Sequence, residues 1–191
     1  MILLEPEDYY TQRNNRLHPT AACMNTSRVM FYKAANIAYV HESGTPDDDY
    51  FYSLLDSDRA KAFRDSKYPN LSDYHPTEIH GMYGSFLDPL VTGKRISDFH
   101  TDLTWDDFIN QIALCKPVMT SGKFPGLLGH AFVFIGYDDK TDELIAADPW
   151  GDPHTGYKSV HGYGIRYNRE YFNEHVKPGA NKWGHLIMED I

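Results

Sequence analysis

The period of the apolar residues changes at Pro117, and that change restricts the folds open to this chain. Upstream, from about Thr20 to His41, Cys23, Ser27, Met30, Ala34, Ile37, Ala38 and His41 recur in steps of three and four, the period of an amphipathic helix. Thr20 after Pro19 is the expected N-cap of that helix and Gly44 its expected stop. A second helix is expected after Thr104, which caps a first turn carrying Asp106 and Asp107, with Phe108, Ile109, Ile112 and Ala113 as its apolar face. Downstream of Pro117 the runs shorten to strand length: Val118 to Ser121, Ala131 to Tyr137 and Leu144 to Ala147, the last two joined by the turn Asp138 to Asp142. Further strands are expected at Gly164 to Tyr167 and Gly184 to Met188. Helices followed by an antiparallel sheet make an α+β protein.

Between these regions, about residues 44–104, Asp, Tyr, His, Ser and Pro predominate, and the pattern offers only short helices such as Tyr50 to Lys61 and Thr77 to Leu87. This stretch reads as an elaboration of helices and loops, and the run Asp47-Asp48-Asp49 within it reads as a solvated loop. No repeat or linker divides the 191 residues, a length that suits one domain with its own core.

Composition excludes several functions. Eighteen basic against 27 acidic residues give a net charge of −9, with no basic patch, which disfavours nucleic acid and anionic membranes. No apolar run approaches the ~20 residues of a membrane span, and the N-terminus has no signal-peptide pattern, so synthesis in the cytoplasm is expected. Two cysteines cannot build a disulfide framework. The ten histidines, among them His75 and His80, His154 and His161, and His175 and His185, lack the spacing of a helical zinc pair, so no metal or other cofactor is expected.

The two cysteines differ in context. Cys23 falls near a helix N-terminus, where unsatisfied N–H groups and the helix dipole favour a thiolate. Cys115, at an apolar helix end, reads as packing. His130 opens the best strand and Asp148 closes the next, so antiparallel pairing about the 138–142 turn brings the two together. A histidine oriented by a carboxylate is the base that a cysteine nucleophile needs. Gln12, eleven residues before Cys23, offers an amide N–H that could join a backbone N–H in holding an oxyanion. Trp150 and the many tyrosines are candidates to line a cleft.

The contexts Thr11-Gln12-Arg13-Asn14-Asn15, Cys23-Met24-Asn25-Thr26-Ser27, Gly129-His130-Ala131-Phe132-Val133 and Asp148-Pro149-Trp150-Gly151, in that order, resemble the peptidase C39-like, papain-fold cysteine peptidases of bacteria and phages, some of which are cell-wall lysins. The resemblance implies a single papain-like domain over 1–191, its nucleophile helix packed on an antiparallel sheet, and the long insertion at about 44–104 departs from the family's pattern. It implies Cys23, His130, Asp148 and Gln12 as site residues, amide hydrolysis as the reaction, and peptides or peptidoglycan stem peptides as substrate. A phage lysis or virion role, with later release to the cell wall or incorporation into a virion, is among the contexts it allows. No transporter segments accompany the motifs, so bacteriocin export is not implied. Two alternatives remain at this point: a catalytically silent peptide- or partner-binding module of the same fold, and an acyltransferase using the same cysteine.

Overall fold

The structure, a computed structural model, describes residues 1–127, 129–176 and 182–188. A central helix α1 (Cys23–Ala34) is followed by α2 (Asp47–Asp56) and α3 (Asp58–Lys67). Next come α4 (His80–Met82), a π-helical stretch (Tyr83–Leu87) and α5 (Asp88–Thr92). Strand β1 (Ser97–Leu103) and helix α6 (Trp105–Ala113) precede the strands β2 (Val118–Gly122), β3 (His130–Asp138), β4 (Glu143–Ala147) and β5 (Tyr163–Asn168). Helix α7 (Arg169–His175) and strand β6 (Lys182–Ile187) complete the described chain. The six strands form one antiparallel sheet in the order β1-β6-β2-β3-β4-β5. Among the described residues no helix is long and apolar enough to cross a membrane.

Both faces of the sheet are covered. Ala131, Val133 and Ile135 of β3 pack with Val29, Met30 and Phe31 of α1, while Phe132 and Phe134 pack with Phe108 and Ile112 of α6 and Phe172 of α7. A strand buried on both faces needs apolar side chains at every position, which is why β3 reads as an unbroken run and not as an alternation.

Several expectations need correction. The cap of α1 is Ala22, not Thr20, and the helix ends at Ala34 because Asn36 turns into the left-handed region (φ 53°). It is buried all round, because its polar residues find partners inside: Asn25 accepts from Tyr83, Thr26 donates to Asp48, and Arg28 pairs with Asp88. The Asp47-Asp48-Asp49 run is not a solvated loop. It opens α2, where carboxylates suit the positive end of the helix, and the buried Asp48 and Asp49 accept from Asn15 and from the Arg16 and Leu17 backbone. The middle segment is more than helices and loops, since Ser97–Leu103 forms an edge strand on β6. Its polar side chains hid it, as did those of α7. Helix α6 starts as expected, with Thr104 and Asp107 in a reciprocal capping box. Cys115 is exposed and left-handed (φ 58°), so it is not a packing residue.

The most heavily bonded buried group is Asp88. Its Oδ1 accepts from the Arg28 guanidinium and the Tyr32 hydroxyl, and its Oδ2 from the backbone N–H groups of Ile96 (3.1 Å) and Ser97 (3.0 Å). Both Arg28 and Asp88 are fully buried, so removal of either leaves an uncompensated charge. Asp88→Ala is expected to cost about 3–5 kcal/mol in urea unfolding, whereas the double change Arg28→Met with Asp88→Leu should recover much of the loss.

Candidate active site

Cys23 is the first residue of α1, at the mouth of a cleft of about 620 Å³ whose walls include Met24, Tyr74, His80, Lys123, His130 and Trp183. His130 and Ala131, at the start of β3, line the same cleft. The thiol lies beside His130 and near the backbone N–H groups of Met24 and Ala131, close enough for each to bias its ionisation. Burial pushes the thiol pKa up, but the contact and charge of His130, with those two N–H groups, outweigh it and hold Cys23 below its ordinary value.

His130 Nε2 is 2.6 Å from Asp148 Oδ1, which leaves Nδ1 for the thiol. The β3–β4 register, with Val133 opposite Ala147, puts both side chains on the face shared by Phe132 and Ala146. Burial alone would lower the imidazole pKa. The Asp148 carboxylate, followed by the Cys23 contact, overrides it and raises His130 to about 10. Asp148 is fully buried and satisfied, since Oδ1 also accepts from the Trp150 N–H (2.8 Å) and Oδ2 from the Tyr157 hydroxyl (3.3 Å). Its backbone is fixed as firmly: the N–H donates to Gly162 O and the carbonyl accepts from Tyr9. Gly162 must be glycine here, because any side chain would run into the Asp148 carbonyl.

Gln12 is buried on a short 3-10 turn (Gln12–Asn14). Its Nε2 donates to Pro19 O (2.9 Å) and its backbone N–H to Pro149 O (3.0 Å). It is not among the residues that line the cleft. Its neighbours clasp the Asp148-Pro149-Trp150 segment: Thr11 donates to Pro149 O, and the Arg13 side chain donates to Trp150 O and lies 3.9 Å over the Trp150 ring. Trp150 therefore does not line the cleft, and Tyr74 and Trp183 are its aromatic walls. The structure thus joins Cys23, His130 and Asp148, and sets Gln12 against the segment that carries Asp148. The expected Gly126 to Gly129 turn before His130 includes Leu128, which lies outside the described residues.

Tyr157 and the Trp150 N–H were not legible in the sequence. Both reach Asp148 through the loop after β4, and no local pattern marks that contact.

A model of the Peptidase_C39 like family matches residues 7–176. The chain belongs to that family. Among solved structures, a C39-like peptidase from Bacillus anthracis matches with a TM-score of 0.53 at 13% identity, covering 99% of this chain and 98% of the other. Xylellain, a cysteine protease from Xylella fastidiosa, matches with a TM-score of 0.40 at 13% identity, covering 97% and 84%. A search of curated protein sequences returns no match. At this identity the Bacillus structure establishes the fold, a C39-like α+β architecture with helices on an antiparallel sheet.

The two shifts define a window in which thiolate and imidazolium coexist. The imidazolium contributes its stabilisation fully below the ordinary imidazole pKa near ~6.5, and loses it as pH rises toward about 10. The thiolate contributes fully above the ordinary thiol value of ~8.5, and loses it as pH falls through the lowered Cys23 value. Iodoacetamide should therefore alkylate Cys23 rapidly well below pH ~8.5, and Asp148→Asn should draw the upper limit of the imidazolium down toward ~6.5. An NMR titration of His130 in both proteins checks the second half.

Proposed function

We propose that the protein is a cysteine peptidase that hydrolyses amide bonds through Cys23, His130 and Asp148. The observation that carries this reading is one chain of contacts in a cleft: the Cys23 thiol on His130, and His130 on a buried carboxylate. In the first half-reaction the Cys23 thiolate attacks the substrate carbonyl carbon. His130 gives its Nδ1 proton to the departing amine as the C–N bond breaks, and a thioester remains. In the second, His130 takes a proton from water, the resulting hydroxide attacks the thioester, and the acid leaves as the thiolate returns. Asp148 holds the imidazole in the tautomer and orientation that both steps need.

Gln12, which lies outside the cleft lining in this structure, is proposed as an oxyanion donor together with a backbone N–H at the start of α1. One amide hydrogen is held by Pro19 O, which fixes the side chain, and a primary amide has a second to give. Family membership supports a peptide substrate, and peptidoglycan stem peptides in a phage lysis or virion setting are the specific form we propose. An intact cysteine, histidine and carboxylate set favours turnover over a silent binding module.

The test is incubation of the protein with purified peptidoglycan and with a mixed peptide library, with released amines identified by mass spectrometry. Cys23→Ala should abolish release while Cys115→Ala, at an exposed site, keeps it. Equal loss in both would remove Cys23 as the nucleophile. On any substrate so found, Gln12→Ala should lower kcat on the order of a hundredfold with little change in KM. A pure KM effect would assign Gln12 to substrate binding instead.

A further inference from the structure

Tyr157 occupies a backbone conformation that an aromatic residue rarely adopts. Its φ is +61°, directly after Gly156 at +63°, so two successive residues are left-handed. Strain of this kind persists where the surroundings over-determine it, and here they do. The Tyr157 N–H donates to Asp152 O (3.0 Å), while Asp152 is itself tied to Ser159 O through its N–H and to the His154 N–H through Oδ1. The result is a loop that drives the Tyr157 side chain back against the end of β4.

What it meets there is the His130–Asp148 pair. The hydroxyl donates to Asp148 Oδ2 at 3.3 Å, the carboxylate oxygen that His130 does not use. The ring stands edge-on to the imidazole, with centroids 5.7 Å apart and planes at 79°. Phe124 (6.2 Å) and Phe132 (6.4 Å) pack around the same imidazole, and Phe124 also meets the Tyr157 ring edge-on at 6.0 Å. Three aromatic rings thus surround His130 beside its bond to Asp148. Burial and the adjacent carboxylate also push the phenol pKa up, so Tyr157 remains a donor.

We infer that Tyr157 is a positioning residue: held by a strained loop, it pins the free oxygen of Asp148 and shields the His130–Asp148 hydrogen bond from water. The inference rests on the reading of Cys23 and His130 as the reacting pair. Tyr157 itself does not touch the substrate. Its effect reaches the thiol through Asp148 and then His130, by keeping the imidazolium oriented toward Cys23. In a dry, low-dielectric setting that orientation strengthens the ion pair, and admission of water weakens it.

The test uses a Cys115→Ala background, in which Cys23 is the only cysteine, and follows iodoacetamide alkylation against pH. Tyr157→Phe keeps the ring and removes the donor. Its acid limb is expected to move up by roughly one pH unit, equivalent to about a tenfold slower reaction on the acid side, with the thermal midpoint nearly unchanged. The proton between His130 and Asp148, followed by NMR, should exchange faster with water. Tyr157→Gly relieves the left-handed strain yet removes the ring, and should show at least the same shift. An unmoved acid limb and unchanged proton exchange in Tyr157→Phe overturn the inference. A Cys115→Ala parent whose Cys23 reacts no faster than an ordinary thiol instead overturns the catalytic reading, and the parent protein alone shows which has failed.

Discussion

The buried ion pair between Arg28 and Asp88 fixes where α1, the helix that begins at Cys23, sits. Arg28 projects from the middle of α1 into the junction of α5 and β1, where Asp88 also binds the backbone of Ile96 and Ser97. Such a pair tolerates little displacement, because loosening it strands two charges in the core. One turn and a half before Arg28, the same helix begins at Cys23. The place of the thiol is therefore set by a contact far along the helix, and by Asn25 and Thr26, which anchor its first turn to Tyr83 and Asp48. A helix end held this firmly can present N–H groups to a thiolate without shifting when the charge develops.

The other half of the site is fixed by the sheet and by the chain N-terminal to α1. Pairing of β3 with β2 and β4 sets the position of His130, and Asp148 follows directly from β4. The segment around Gln12 then ties the turn after Asp148 to the approach to Cys23, through Pro149, Trp150 and Pro19. The motifs around Gln12 and Asp148, 136 residues apart in the chain, are in this way one structural unit. The acidic run at the start of α2 holds that unit from the other side, by binding Asn15, Arg16 and Leu17.

The middle segment belongs to this architecture as more than decoration. It supplies Asp88, the partner of Arg28, and Tyr83, the partner of Asn25, and its Tyr74 and His80 line the cleft. A C39-like fold shared at 13% identity with the Bacillus anthracis structure shows how little of the side-chain detail such an architecture requires.

Local sequence determined the elements whose signals are local. The capping box at Thr104, the turn at 138–142 and the apolar run of β3 each follow from residues within a few positions of one another, and each is found. The meeting of His130 and Asp148 was legible too, because a hairpin register is a short-range constraint that reaches across only one turn. Tertiary structure decided the rest. Polar stretches such as β1 and α7, the burial of Asp48 and Asp49, the end of α1 at Asn36 and the hold of Tyr157 on Asp148 all depend on partners distant in the chain. A polar side chain carries the same local signal whether it faces water or a buried donor, and only the folded chain brings the donor to it.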